Sequence, residues 1–168
     1  GGSSRCGGPE RDVVKASAGD NRVLAPAQRD LGKALAKMGK KKEAMDMLHK
    51  ALKTAGSQAG IRREIYEIVT EVYRAEDRLR DLITELEGQH INDAEQLQML
   101  GALYEETGQV DKALKTYKET LGKKKDDIGT RLKVVQLLQI QGELDEAIKQ
   151  FEELIRSAPR NPDFVFQL

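Results

Sequence analysis

The chain has 168 residues, 33% of them charged and 4% aromatic, and its 28 lysines and arginines balance 28 aspartates and glutamates. That neutrality argues against a nucleic-acid binder working through bulk charge, and no apolar run approaches the ~20 residues of a membrane span. One cysteine, Cys6, allows no internal disulfide, and no signal peptide is visible, so the expected setting is cytoplasmic.

In chain order, residues 1–8, GGSSRCGG, are small and polar and are expected to form a disordered or expression-derived tail. Pro9 to Ser17 reads as a short helix with proline and acids near its start. Ala18-Gly19-Asp20-Asn21 reads as its stop and a fresh N-cap, which makes residues 9–24 a partial repeat or a capping helix. The clearest elements lie in Leu97–Tyr117. There Leu97, Leu100, Gly101 and Tyr104 share one helix face and Val110, Ala113, Leu114 and Tyr117 share another, with a break at Gly108. This predicts a hairpin with Gly101 against Ala113 and Leu and Tyr filling the flanks. At the end, Asn161-Pro162-Asp163-Phe164 opens a truncated or capping helix over 162–168, with an apolar tail of Phe164, Val165, Phe166 and Leu168.

The hairpin recurs. Gly32, Thr70, Gly101 and Val135 are each followed 12 residues later by Ala44, Leu82, Ala113 and Ala147. Four residues further sit Leu48, Leu86, Tyr117 and Phe151, and the turn markers Gly39, Asp77, Gly108 and Gly142 lie seven after the first set. Four hairpins sharing three offsets mark a helical repeat array.

The run Leu97-x2-Leu100-Gly101-x2-Tyr104 … Ala113-x3-Tyr117 resembles the tetratricopeptide repeat, with Leu where the first Trp usually stands. Pro159 supplies the closing proline of the last repeat. The resemblance sets repeats at 25–58, 63–96, 94–127 and 128–161 and implies an all-α fold, a right-handed α-solenoid of stacked antiparallel helix hairpins. The second repeat departs most, with Thr70 and Leu82 at the two small positions, while Gln28 and Arg131 replace the first large residue in the first and fourth.

Marker spacings of 38, 31 and 34 residues are uneven. The first gap carries four extra residues within Ala55–Gly60, which one further turn on the helix ending near Arg74 would absorb. The second is short by three around Gly88–Ile91, where Gly88 can close one helix and Asn92-x-x-Glu95 can cap the next.

Signals of chemistry are few. His49 and His90 stand in different hairpins without a second His or Cys at ligand spacing, the glycines form no phosphate loop, and the carboxylates fall on solvated helix faces. No catalytic residue, metal or cofactor is expected. Lys40–Lys42 and Lys123–Lys125 fall at turns on opposite edges of such an array and should not converge.

The resemblance implies a concave groove lined by the first helix of each hairpin. Carried onto this chain, its positions are Arg29, Lys33 and Lys37, then Glu64, Glu67, Glu71 and Arg74. The third repeat adds Glu95, Gln98, Glu105 and Glu106, and the fourth Leu132, Gln136, Gln139 and Ile140. The groove would thus run from a basic end through an acidic middle to a polar-to-apolar end. The implied function is a non-catalytic protein-protein interaction module holding a peptide or helix of a partner protein, with a basic segment opposite the glutamates. The alternatives are a self-associating scaffold, hence a homo-oligomer, or the recruiting arm of a larger enzyme or signalling protein. Nucleic acid and membrane insertion are not expected.

Overall fold

A computed structural model describes residues 18–157, and among them lie eight α-helices and no strand. The helices are α1 (Ala18–Lys37), α2 (Lys41–Ala55), α3 (Ala59–Ala75), α4 (Leu79–Glu87), α5 (Ala94–Glu106), α6 (Val110–Lys123), α7 (Ile128–Ile140) and α8 (Leu144–Ser157). Successive helices pair as antiparallel hairpins, and the four hairpins stack as a right-handed α-solenoid.

One turn design closes all four hairpins. Gly39, Asp77, Gly108 and Gly142 adopt φ of 75°, 55°, 76° and 76°, the left-handed region in which a helix can be stopped without leaving carbonyls unpaired. In each, the amide of the following residue reaches back to the carbonyl five residues earlier: Lys40 to Leu35, Arg78 to Tyr73, Gln109 to Tyr104 and Glu143 to Leu138. The marker spacing in the sequence is therefore the spacing of these bonds.

Packing inside the hairpins differs from the expected pairing at one point. The atoms nearest Gly101 belong to Tyr117, not to Ala113. A Cβ on Gly101 would lie 2.6 Å from Cε1 of Tyr117, and one on Gly32 would lie 2.7 Å from Cδ2 of Leu48. The large side chain four residues beyond the small partner crosses the interface and lies on the glycine, because helical side chains reach back towards the preceding turn. Ala44, Ala113 and Ala147 are buried beside that contact.

Residues expected as a helix stop, Ala18–Asn21, instead form the first turn of α1, which runs unbroken past 24/25 and through Pro26. A proline there forfeits the bond its missing N–H would give to the turn before, while its fixed φ remains helical. The tail at 1–8, the helix at Pro9–Ser17, Pro159 and the helix at 162–168 lie outside the described residues.

The uneven spacing is absorbed in the second hairpin. α3 has 17 residues against 13 in α5 and in α7, one turn more, and α4 has only 9. Gly88 follows the last residue of α4. The next cap is Asp93 rather than Asn92: its carboxylate accepts from the Glu95 amide at 3.0 Å. Asp93 also accepts from Arg62 Nε at 3.0 Å and from the Tyr66 hydroxyl at 2.7 Å. Arg62 in turn donates to the carbonyls of Leu52 and Gly56 at 3.2 and 3.1 Å, so one guanidinium ties the end of α2 to the start of α5. Burial alone would raise the Asp93 carboxyl, but the Glu95 amide, Arg62 and Tyr66 hold it well below the usual range.

All four tyrosines of the chain share one arrangement. Each ring is buried and each hydroxyl donates to a carboxylate: Tyr66 to Asp93 at 2.7 Å, Tyr73 to Glu85 at 2.8 Å, Tyr104 to Glu87 at 2.6 Å and Tyr117 to Glu105 at 3.0 Å. Burial first, then the adjacent carboxylate, raises each phenol, Tyr73 to about 12.

Candidate functional site

A groove of about 480 Å³ opens between α3, α5 and α7. Helix α3 contributes Arg63, Tyr66, Glu67, Thr70, Glu71 and Arg74, at the i, i+3, i+4 spacing that brings side chains to one face. Glu95, Gln98, Met99 and Ala102 come from α5, and Gly129, Thr130 and Lys133 from α7. The Tyr117 ring, lying on Gly101, reaches through from α6, so Met99, Ala102 and Tyr117 give the groove an apolar component.

Its charges are mostly spoken for. Arg74 grips Glu106 with two hydrogen bonds, both 2.7 Å; that bond is the main reason the Glu106 carboxyl is lowered and the Arg74 guanidinium raised. Lys133 lies 3.3 Å from Glu105, which also accepts the Tyr117 hydroxyl. Buried Glu95 is paired with Lys124. The Gln98 amide donates to Asp127 and, at 2.8 Å, to Thr130 Oγ1, bridging α5 to the start of α7. Among the described residues Arg63, Glu67 and Glu71 make no ion pair or hydrogen bond, although Glu71 is close enough to Arg74 to help hold its proton.

Of the fifteen groove positions, the structure brings Glu67, Glu71, Arg74, Glu95 and Gln98 together in this cavity. Glu105 and Glu106 join indirectly, through Lys133 and Arg74. Glu64 lies outside and is paired with Arg29, which also bonds Asp30 at 2.9 Å. Lys33, Lys37, Gln136 and Gln139 are exposed and do not line the cavity, and neither do Leu132 and Ile140 at the far end. The acidic middle is therefore a row of ion pairs, three between neighbouring hairpins and Glu95–Lys124 within one, leaving Glu67 and Glu71 as free carboxylates. Both lysine runs lose one member to such pairs: Lys41 meets Glu76 at 2.5 Å and sits 4.6 Å over the Tyr73 ring, and Lys124 holds Glu95.

Reasoning by repeat position missed Arg63, Thr70, Met99, Ala102 and Lys133. Arg63 and Thr70 lie one helical turn before Glu67 and Arg74, so the i, i+4 ladder through the named glutamates was the signal for them.

A family model described as "Tetratricopeptide repeat" matches residues 31–160. No curated protein matches the chain. Among solved structures, the MamA protein superposes with a TM-score of 0.54 at 23% identity, covering 90% of this chain and 80% of its own. YrrB, described as a TPR protein with an unusual peptide-binding site, superposes with a TM-score of 0.50 at 20% identity, covering 84% and 72%. Among the described residues no helix is long and apolar enough to cross a membrane.

Proposed function

Since the chain belongs to the tetratricopeptide repeat family, we propose that it is a non-catalytic interaction module that holds a peptide of a partner protein in the groove between α3, α5 and α7. One observation carries this reading: Glu67 and Glu71, a turn apart on α3, are groove carboxylates with neither an ion pair nor a hydrogen bond among the described residues, whereas Asp127 is held by Gln98 and the Thr130 amide, and they share the groove with Met99, Ala102 and Tyr117. Free carboxylates beside apolar surface suit a segment with lysine or arginine one or two positions from an apolar residue. The cation gains a partner without displacing one, and the apolar side chain leaves water. The peptide-binding site named for YrrB lends general support, since the two share the fold.

Glu105, bound to Tyr117 and Lys133, is part of the scaffold in this reading and not a contact for the partner. The test is binding of a labelled Lys/Leu-alternating peptide, with a Glu/Leu peptide as control, followed by anisotropy at low and high salt. The basic peptide should bind, weaken with salt, and weaken again in Glu67→Gln/Glu71→Gln at unchanged helicity. Equal binding of the acidic peptide, or indifference to the double substitution, overturns the reading.

A further inference from the structure

The two end helices carry exposed apolar stripes whose counterparts elsewhere in the molecule are buried. On α8, Leu144, Ile148, Phe151 and Ile155 follow a 4-3-4 spacing and all are exposed, Ile148 to 54%. Moved back by one 34-residue period they become Val110, Leu114, Tyr117 and Leu121 of α6, which are buried or packed against the core beneath α7. On α2 the matching Met45, Leu48 and Leu52 are packed in the same way beneath α3. This stripe is the surface by which a second helix receives the first helix of the next hairpin.

The complementary half lies on α1. Leu24, Ala27, Leu31, Ala34 and Met38 are all exposed at 3-4-3-4 spacing, Leu31 to 47%. Leu31 and Ala34 correspond to Leu100 and Leu103 of α5 and to Val134 and Leu137 of α7, all buried. Those positions are buried in α5 and α7, helices that pack on the hairpin before them. The molecule thus presents both halves of its own internal junction, at opposite ends, each without the other half among the described residues. Charge agrees: α1 carries four basic and two acidic residues, α8 four acidic and two basic.

We propose that a second copy of this chain docks its α1 on α8 of the first, continuing the stack head to tail. The contact is heterologous, different surfaces meeting, so it propagates and does not close at two copies. It uses neither Glu67 nor Glu71 and stands apart from the groove reading.

The full chain, examined by sedimentation equilibrium, should show an average mass above 18.7 kDa that rises with concentration. Leu31→Glu and Ile148→Glu, both at exposed sites, should each remain monomeric with unchanged helicity. Mixed in equal amounts they should give a dimer and nothing larger, since each brings one intact face; Leu31→Gln with Ile148→Gln repeats the test more gently. A wild type that stays at 18.7 kDa throughout overturns the proposal, and protected α8 amides in that monomer would identify flanking residues of the same chain as the cover. A single variant that still dimerises alone overturns it in favour of like-on-like contact.

Discussion

The Tyr117 ring occupies the space where a Gly101 Cβ would stand, with Cε1 2.6 Å and Cδ1 2.8 Å from that position, while the hydroxyl of the same ring is held by Glu105. The ring is thus fixed twice, along one edge by a helix backbone and at its hydroxyl by a carboxylate.

Gly101→Ala should therefore destabilise the protein by about 1–2 kcal/mol, overpacking outweighing the ~1 kcal/mol gained in helix propensity. Gly101→Leu should cost a few kcal/mol. In a Tyr117→Ala background the alanine at 101 should become neutral or stabilising. Urea melts of the four proteins test this, and simply additive costs would show that the ring and the glycine are not in contact.

Asp77 does with φ 55° what glycine does at the three equivalent turns. Asp77→Gly should stabilise the second hairpin by about 0.5–1 kcal/mol, because a side chain at positive φ is strained and glycine is not. The reverse control, Gly108→Ala, should lose about as much. Equal melting temperatures for Asp77→Gly and wild type would mean that the aspartate recovers its strain through local contacts.

Acid should find the Asp93 cluster. Its folded carboxyl titrates below the ordinary 3.8, so its contribution is complete above about pH 4 and is lost as pH falls further. Asp93→Asn keeps a capping side chain but removes the charge facing Arg62, and should lower stability by about 2 kcal/mol at pH 7. The difference should shrink steadily below pH 4. A gap independent of pH would contradict the linkage.

At the alkaline end the sign reverses. Phenols raised in the folded state contribute stability that is intact below pH 10 and lost as pH climbs, for Tyr73 towards about 12. Tyr73→Phe should therefore flatten the fall in melting temperature above pH 10, and an unchanged slope would count against the Glu85 contact.

Arg74→Gln removes a cation from the groove and releases Glu106. Affinity for the basic peptide should rise by up to about tenfold at low salt and by less at high salt. Weaker binding would show that the peptide uses the guanidinium directly.

Periodicity made the fold legible: among the described residues three fixed offsets located the four hairpins, and the turn markers located the reversal inside each. Register inside the hairpin was harder to read. Small residues at 101 and 113 suggest mutual contact, whereas the tilt of side chains along a helix puts the Tyr117 ring nearest to Gly101. Gly19 and Pro26 read as punctuation by residue type, yet α1 runs through both, because a helix tolerates them where neighbouring turns hold. In the groove, repeat position located five of the lining residues but could not show which charges meet. Glu64–Arg29, Glu105–Lys133 and Glu106–Arg74 are separated by 28 to 35 residues, and only the stacking of hairpins brings them together.

The tyrosine–carboxylate contacts give the molecule an optical property. With no tryptophan in the chain, its near-ultraviolet emission comes from four phenols, each hydrogen-bonded to a carboxylate, an arrangement that quenches tyrosine fluorescence. The folded protein should be dim and brighten as it unfolds. Tyr66 and Tyr104 reach across from one hairpin to carboxylates in or beside its neighbour, while Tyr73 and Tyr117 report from within one. Single Tyr→Phe replacements would thus assign the brightening to particular levels of the stack, showing whether the solenoid melts as a whole or peels from an end.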